Sequence, residues 1–336
     1  MQIPIKQFHL DRPVLYADLN IFRYVGSGEL IVENPELAIW AYSTVHLDEI
    51  LRGDNRDALN GISVLKAREI ISVVDTSSEV WVCTGDVELR DYIDPYIRFN
   101  EHIEIIQSSG PDQMEGVIGF INRLFDADNY KELKLSIGSM PESIKQLLQE
   151  HDHPRTSEIV EKAQVVANDL QIVIEEHLKD LPKITKRRAD LGLPKNISQL
   201  SEAEDDPIQY IWNCISDKCP NVDKDHFFGF INPEFETNSP HVYGQSNSFA
   251  SAHFLLGLLG VSPDKGTKEK RKVLNSLSDA NHVGMASFCQ FLLTAEKNMP
   301  KKAQAVFRHK EVNCTVLYKP YTPSNYLINL TNPDYP

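Results

Sequence analysis

The chain is poor in cysteine. Five in 336 residues are too few for a disulfide scaffold. The one close pair, Cys214 and Cys219 with His226 following, has no fourth ligand at the spacing a structural zinc site needs. His151 and His153 flank a polar turn, and two histidines alone do not close a tetrahedral site. Long apolar runs are missing too. The longest, Phe249–Val261, is interrupted by Ser251 and His253 and falls short of the roughly 20 residues a membrane helix requires. The opening MQIPIKQFHLDR has no apolar stretch behind a basic start, so no signal peptide is expected. Positive charge is scarce: 34 Lys and Arg face 48 Asp and Glu, a net charge of −14. That balance argues against a general nucleic-acid or membrane coat. A soluble, cytoplasmic, globular protein is the expectation, and the length allows one large domain with an insertion, or two domains.

What is present is organised in three parts. Residues 1–100 and 222–336 have α/β texture, and residues 101–221 form a helical insertion between them. Pro13–Ala17 reads as a buried strand followed at once by Asp18-Leu19-Asn20, so that its carboxyl end presents Asp18 and Asn20. Asp18 would equally serve as a cap for the next helix. Asn34-Pro35 suits a helix start, and Ile39–Ser43 fits strand or helix. The spacing predicts a helix over 45–51 that carries Glu49, and a second helix from about Asp57 to Ile71. Glu79–Cys83 reads as a strand with a turn at Thr84-Gly85-Asp86. In the middle, Pro111–Phe125, Pro141–Glu150 and Ser157–Leu181 have helical spacing, and the last carries one apolar stripe. Pro182–Asp206 reads as an exposed connection, and a short helix follows Asp206-Pro207. Towards the end come helices over Phe249–Leu259 and Lys268–Leu277, then a third opened by Asp279. Strands follow at Phe291–Thr294 and Asn313–Tyr318.

Four carboxylates stand out by placement: Asp18 and Glu296 after strands, Glu49 on a helix, Asp279 at a helix start. Clustered carboxylates repel unless a hard cation neutralises them, and Mg²⁺ and Mn²⁺ take oxygen ligands and suit phosphodiester hydrolysis.

The segments LYADLN at 15–20, YSTVHLDEI at 42–50, DANHVGMA at 279–286 and LLTAEK at 292–297, in that order, resemble the pattern of PIN-domain nucleases. The resemblance covers roughly the first 55 residues and the last 70 to 80. It implies a PIN-like three-layer αβα sandwich, with a central parallel sheet and a metal-dependent endonuclease centre at its carboxyl edge. Asp18, Glu49, Asp279 and Glu296 would be the catalytic, metal-binding acids for Mg²⁺ or Mn²⁺. Glu296 stands where the family usually has Asp, one methylene longer. Asn20 would support the site, and Thr294 would orient a carboxylate or a water. The products would carry 5′-phosphate and 3′-hydroxyl ends, with RNA rather than DNA as the partner nucleic acid. Ser43 fits better as support for the turn into the Glu49 helix than as a reacting group. His46 and His282, each three residues from a candidate acid, suit substrate contact and a place inside the packing equally.

The acidic net charge is an objection to nucleic-acid binding, and its distribution partly answers it. Residues 261–311 hold ten Lys or Arg against five acids. Lys268, Lys270, Arg271 and Lys272 are the expected contacts to a phosphate backbone. The helical insertion is the expected place for a protein partner or a second copy of the chain. Two other readings use the same residues. One is a PIN-like fold retained as an inactive binding scaffold. The other is a haloacid dehalogenase-like phosphatase with Asp18 as nucleophile, in which Asn20 falls where a second Asp should act as general acid.

Overall fold

A computed structural model describes residues 5–75, 82–109, 123–126, 130–150, 155–195, 197, 206–230, 244–263, 270–322 and 326–331. The chain divides into two compact units. The first comprises Met1–His102, Leu191–Pro263 and Ser276–Pro336, and the second Ile103–Asp190 and Asp264–Asn275.

The first unit is built on a mostly parallel six-stranded sheet. Its strands are β1 (Val14–Ala17), β3 (Ile39–Ser43), β4 (Arg68–Asp75), β5 (Val82–Leu89), β6 (Phe291–Thr294) and β7 (Thr315–Tyr318). They run in the order β5-β4-β3-β1-β6-β7, with only β5 antiparallel to its neighbour. A separate parallel pair joins β2 (Leu30–Glu33) to β8 (Tyr326–Asn329).

Strands β1 and β3 are buried along their whole length. A parallel strand covered on both faces reads as a continuous apolar run, which is why Val14–Ala17 is so legible. Val14, Tyr16, Ile39, Ala41, Ile70, Leu292 and Val316 face one large core. Its helical side comes from α8 (Pro207–Ile215), α10 (Gln245–Leu259), the second half of α11 (Lys270–Ala286) and α12 (Met299–His309). The alternate residues Leu15, Ala17, Trp40, Tyr42 and Leu293 point to the opposite face and are equally buried. On that side lie α1 (Leu19–Gly26), α2 (Thr44–Gly53) and α3 (Arg56–Val64). The result is an α/β sheet flanked by helices, consistent with a three-layer sandwich. Leu193, Ile197, Ile208, Ile211 and Ile215, from the middle third of the sequence, belong to this core.

Helices α1 and α3 cross at backbone contact. A Cβ on Gly26 would lie 1.8 Å from the Asp57 carbonyl oxygen, and one on Gly61 would lie 1.9 Å from that of Phe22. Helix α4 (Pro95–Ser109) is tied to the sheet by an ion pair in which Arg98 reaches the buried Glu69 of β4 at 2.7 Å. Helix α9 (Lys224–Phe227) is a single capped turn.

The second unit contains α5 (Tyr130–Glu150), α6 (Thr156–Val173), which continues into a π turn at Ile174–Leu178, and α7 (Ile184–Asp190). Leu133, Ile137, Ala167, Ile174 and Leu178 form its core. Among the described residues no helix is long and apolar enough to cross a membrane.

Several local expectations change. The helix expected to reach Ile71 stops at Val64, because Lys66 turns to φ 49° and Arg68–Asp75 becomes a strand. Thr84-Gly85-Asp86 lies inside β5 rather than forming a turn beyond it; Glu79–Trp81 lies outside the described residues, as does most of Pro111–Phe125. The two helices expected over Lys268–Leu277 and from Asp279 are one, α11. No Gly or Pro interrupts residues 270–283, and buried Val273, Ser276, Ala280 and Val283 keep one spacing throughout. Asp279 is therefore mid-helix and opens nothing.

Candidate active site

The chain order turns back on itself in the middle of the sheet. From β1 the connections run through β3 to β4 on one side, while β6 and β7 lie on the other. In open α/β sheets such a reversal leaves a crevice at the carboxyl ends of the two strands that flank it, where ligands bind. Here those strands are β1, ending at Ala17, and β6, ending at Thr294. Asp18, Asn20, Thr294 and Glu296 therefore share one edge.

Asp18 is 2 % exposed. One of its carboxylate oxygens accepts the Ile21 amide at 3.0 Å, capping α1. The other accepts the Thr294 hydroxyl and, at 3.0 Å, the Ala295 amide. Burial raises its pKa, opposed by these hydrogen bonds and by the nearby His282. Across the crevice, the Asn20 amide donates to Glu296 at 2.6 Å.

Glu49 follows β3 on α2, with its side chain 16 % exposed. Its Oε2 lies 2.9 Å from His282 Nε2, and its Oε1 lies 3.9 Å from the Arg52 guanidinium. Burial pushes this carboxyl up, but His282, His46 and Arg52 outweigh it and hold it at about 2. Arg52 also donates to Ser278 of α11 at 2.6 Å. Asp279 is half-buried on α11, one turn before His282.

A buried polar chain runs behind Glu49. His282 Nδ1 lies 2.9 Å from the Tyr16 hydroxyl, which lies 2.8 Å from Ser43 Oγ. Tyr16, Ser43, His46 and His282 are all buried, at most 1 % exposed. His46 Nδ1 accepts the Ser43 amide at 3.1 Å, so its Nε2–H donates to the Ala17 carbonyl at 2.8 Å. Burial, reinforced by His282, holds this imidazole neutral, down at about 3. Both histidines thus lie inside the packing, and neither is placed to meet a substrate directly. The sequence reading passed over Tyr16 as part of an apolar strand, although a tyrosine hydroxyl buried in a strand must find a partner.

Asp18 and Glu296 thus lie at one sheet edge, while Glu49 lies on α2 against His282 and Asp279 one turn before His282 on α11. Among the described residues, no three His, Cys, Asp or Glu side chains are grouped to hold a metal ion. Asp18, Glu49 and Glu296 each engage separate donors instead, as like charges without a cation between them repel. The donor chemistry still fits Mg²⁺ or Mn²⁺, since carboxylate and amide oxygens are the ligands these ions take. Asp18 supports the fit in a second way. It is a buried carboxylate that no Lys or Arg pairs with among the described residues, held only by neutral donors. Of the expected phosphate contacts, Lys268 lies outside the described residues. Lys270, Arg271 and Lys272 open α11, and their side chains are likewise not described. Lys302, from the same basic stretch, is buried at 2 % exposure and does not offer its charge to solvent.

Compared with protein-family models, with curated proteins and with solved structures, the chain matches none.

Proposed function

We propose that the protein is a PIN-like, metal-dependent endonuclease that hydrolyses phosphodiester bonds in RNA. The observation that carries this reading is the buried Asp18 at the sheet's switch point, bonded to the Thr294 hydroxyl and the Ala295 amide at the adjoining strand end, just before Glu296. Asp18, Glu49, Asp279 and Glu296 would hold Mg²⁺ or Mn²⁺. When bound, the ion supplies Lewis-acid stabilisation of charge developing on the phosphate and makes water more acidic. Thr294 fixes the rotamer of Asp18 through its hydroxyl, and Asn20 does the same for Glu296. Lys268, Lys270, Arg271 and Lys272 would hold the backbone of the strand while leaving the chemistry to the acids.

The test is incubation of the full chain with labelled single-stranded RNA and DNA in Mn²⁺, Mg²⁺ or chelator. Cleavage of RNA that needs the ion and disappears in Asp18→Asn is the expected result. Equal cleavage by Asp18→Asn overturns the assignment of the site. A second reading, a PIN-like scaffold that binds without cutting, is favoured by one observation: three donors already engage Asp18. Retention of RNA without cleavage in either ion would select it. Hydrolysis confined to small phosphomonoesters would instead favour the phosphatase reading.

A further inference from the structure

We propose that His282, clamped from behind by Tyr16, is the positioning residue that sets Glu49 for an incoming divalent ion. This deepens the proposed function and rests on it. The chain of contacts starts at Ser43 Oγ, passes the Tyr16 hydroxyl at 2.8 Å and His282 at 2.9 Å, and ends on Glu49 Oε2 at 2.9 Å. Glu49 sets one end of its proton order. An ionised Glu49 can only accept, so His282 Nε2 carries a proton. With Nδ1 as the acceptor, Tyr16 donates there and receives the Ser43 hydroxyl proton in turn. Burial keeps the Tyr16 phenol protonated, far above its usual range.

Four elements meet in this chain: Tyr16 on β1, Ser43 at the end of β3, Glu49 on α2 and His282 on α11. A buried polar network is costly unless every member is satisfied, and packing alone would be served as well by apolar side chains of the same size. What the network achieves is orientation. Oε2 of Glu49 is locked by an imidazole whose own angle is set by Tyr16. Oε1 is left with Arg52 at 3.9 Å, longer than a hydrogen bond, on a side chain that reaches solvent. That oxygen, in a long ion pair rather than a hydrogen bond, is the one left to take an ion. Hydrogen-bond partners of metal-binding side chains contribute about 10–100-fold to metal affinity.

The experiment measures Mn²⁺ binding to the full chain by electron paramagnetic resonance of free Mn²⁺, alongside thermal melting. His282→Gln retains an N–H near the position of Nε2. His282→Asn retains a polar group near Nδ1 but does not reach Glu49. Wild type should bind Mn²⁺. His282→Asn should bind about 10–100-fold more weakly, and His282→Gln should recover most of the loss. Both variants should melt at similar temperatures, so that affinity does not follow stability. Tyr16→Phe, which keeps the ring packing, should weaken binding with little change in the fold, and it stands in if His282→Asn does not fold. Equal binding by His282→Asn and wild type overturns the positioning role and leaves the nuclease reading intact, as does equal weakening in His282→Asn and His282→Gln. Absence of Mn²⁺ binding in wild type overturns the metal-dependent reading and this inference with it.

Discussion

Acid should destabilise the sheet unit before its carboxylates are neutralised, and one reason, beside the likewise buried His253, is His46. The imidazole is buried, and its pKa lies at about 3 in the folded chain against about 6.5 when unfolded. Between those values the unfolded state binds a proton that the folded state refuses. Stability is therefore complete above pH 6.5 and falls as the pH drops through the window towards 3. At pH 5 the loss from this one group is about 2 kcal/mol, rising towards ~5 kcal/mol below pH 3. Glu49, held at about 2, loses its own contribution only below about pH 4.5, so pH 5 isolates the histidine from it. The control is His46→Gln. Ser43 caps α2 and His46 is the third helical residue, where Gln completes the usual capping box and can accept the Ser43 amide without titrating. Urea unfolding at pH 7.5 and pH 5.0, followed by circular dichroism and tryptophan fluorescence, gives the comparison. Wild type should lose about 2 kcal/mol more than His46→Gln over that interval. Equal losses would show that His46 is not held neutral by burial, and the account of the network around it would fall.

Two further predictions concern packing. Gly61→Ala places a methyl group on the Phe22 carbonyl and should cost about 3 kcal/mol or more by forcing α1 and α3 apart. Gly53→Ala, with nothing within 4 Å of its Cβ position, should be neutral or slightly stabilising, and similar melting temperatures for the two variants would refute the close crossing. Arg98→Ala leaves Glu69 buried without its partner and should destabilise by about 3–5 kcal/mol, whereas Glu69→Leu with Arg98→Met should recover most of that. A double variant as unstable as the single one would show that the pair is not what holds α4 to β4.

The sheet was partly legible in the sequence, for reasons tied to particular residues. Val14–Ala17 announces a strand because both of its faces are buried. The same property leaves Ile39–Ser43 ambiguous, since a strand without polar alternation has no period to read. Residues 57–71 look like one helix because Ala58, Leu59 and Ile62 lie on one face and Leu65 continues it. The break depends on Lys66 adopting φ 49°, a conformation its side chain does not advertise. The opposite error arises at Ser278-Asp279, a cap-like pair that the helix simply runs through. The β2–β8 pairing joins segments near opposite ends of the chain, and nothing local encodes it. Within the candidate site, the acids after β1 and β6 were readable because a strand's carboxyl end is where an open sheet binds ligands. The polar chain behind Glu49 was not, because it depends on Tyr16 and His282 meeting across two core elements.

The kind of donor around each acid bears on what the edge can do. Away from the edge, the buried carboxylate of Glu69 is paired with the guanidinium of Arg98. At the switch point Asp18 is held differently. It is held by a hydroxyl and two backbone amides, whereas Glu49 has the His282 imidazole at 2.9 Å and the Arg52 guanidinium at 3.9 Å. Neutral donors fix the direction of a carboxylate but leave its charge largely uncompensated, and burial makes that charge costly. Charge-paired acids have no such need of a further cation. A carboxylate that is oriented but not neutralised, as Asp18 is, is electrostatically suited to a small, hard, multiply charged ion from solution, and ion binding would offset the desolvation that raises its pKa.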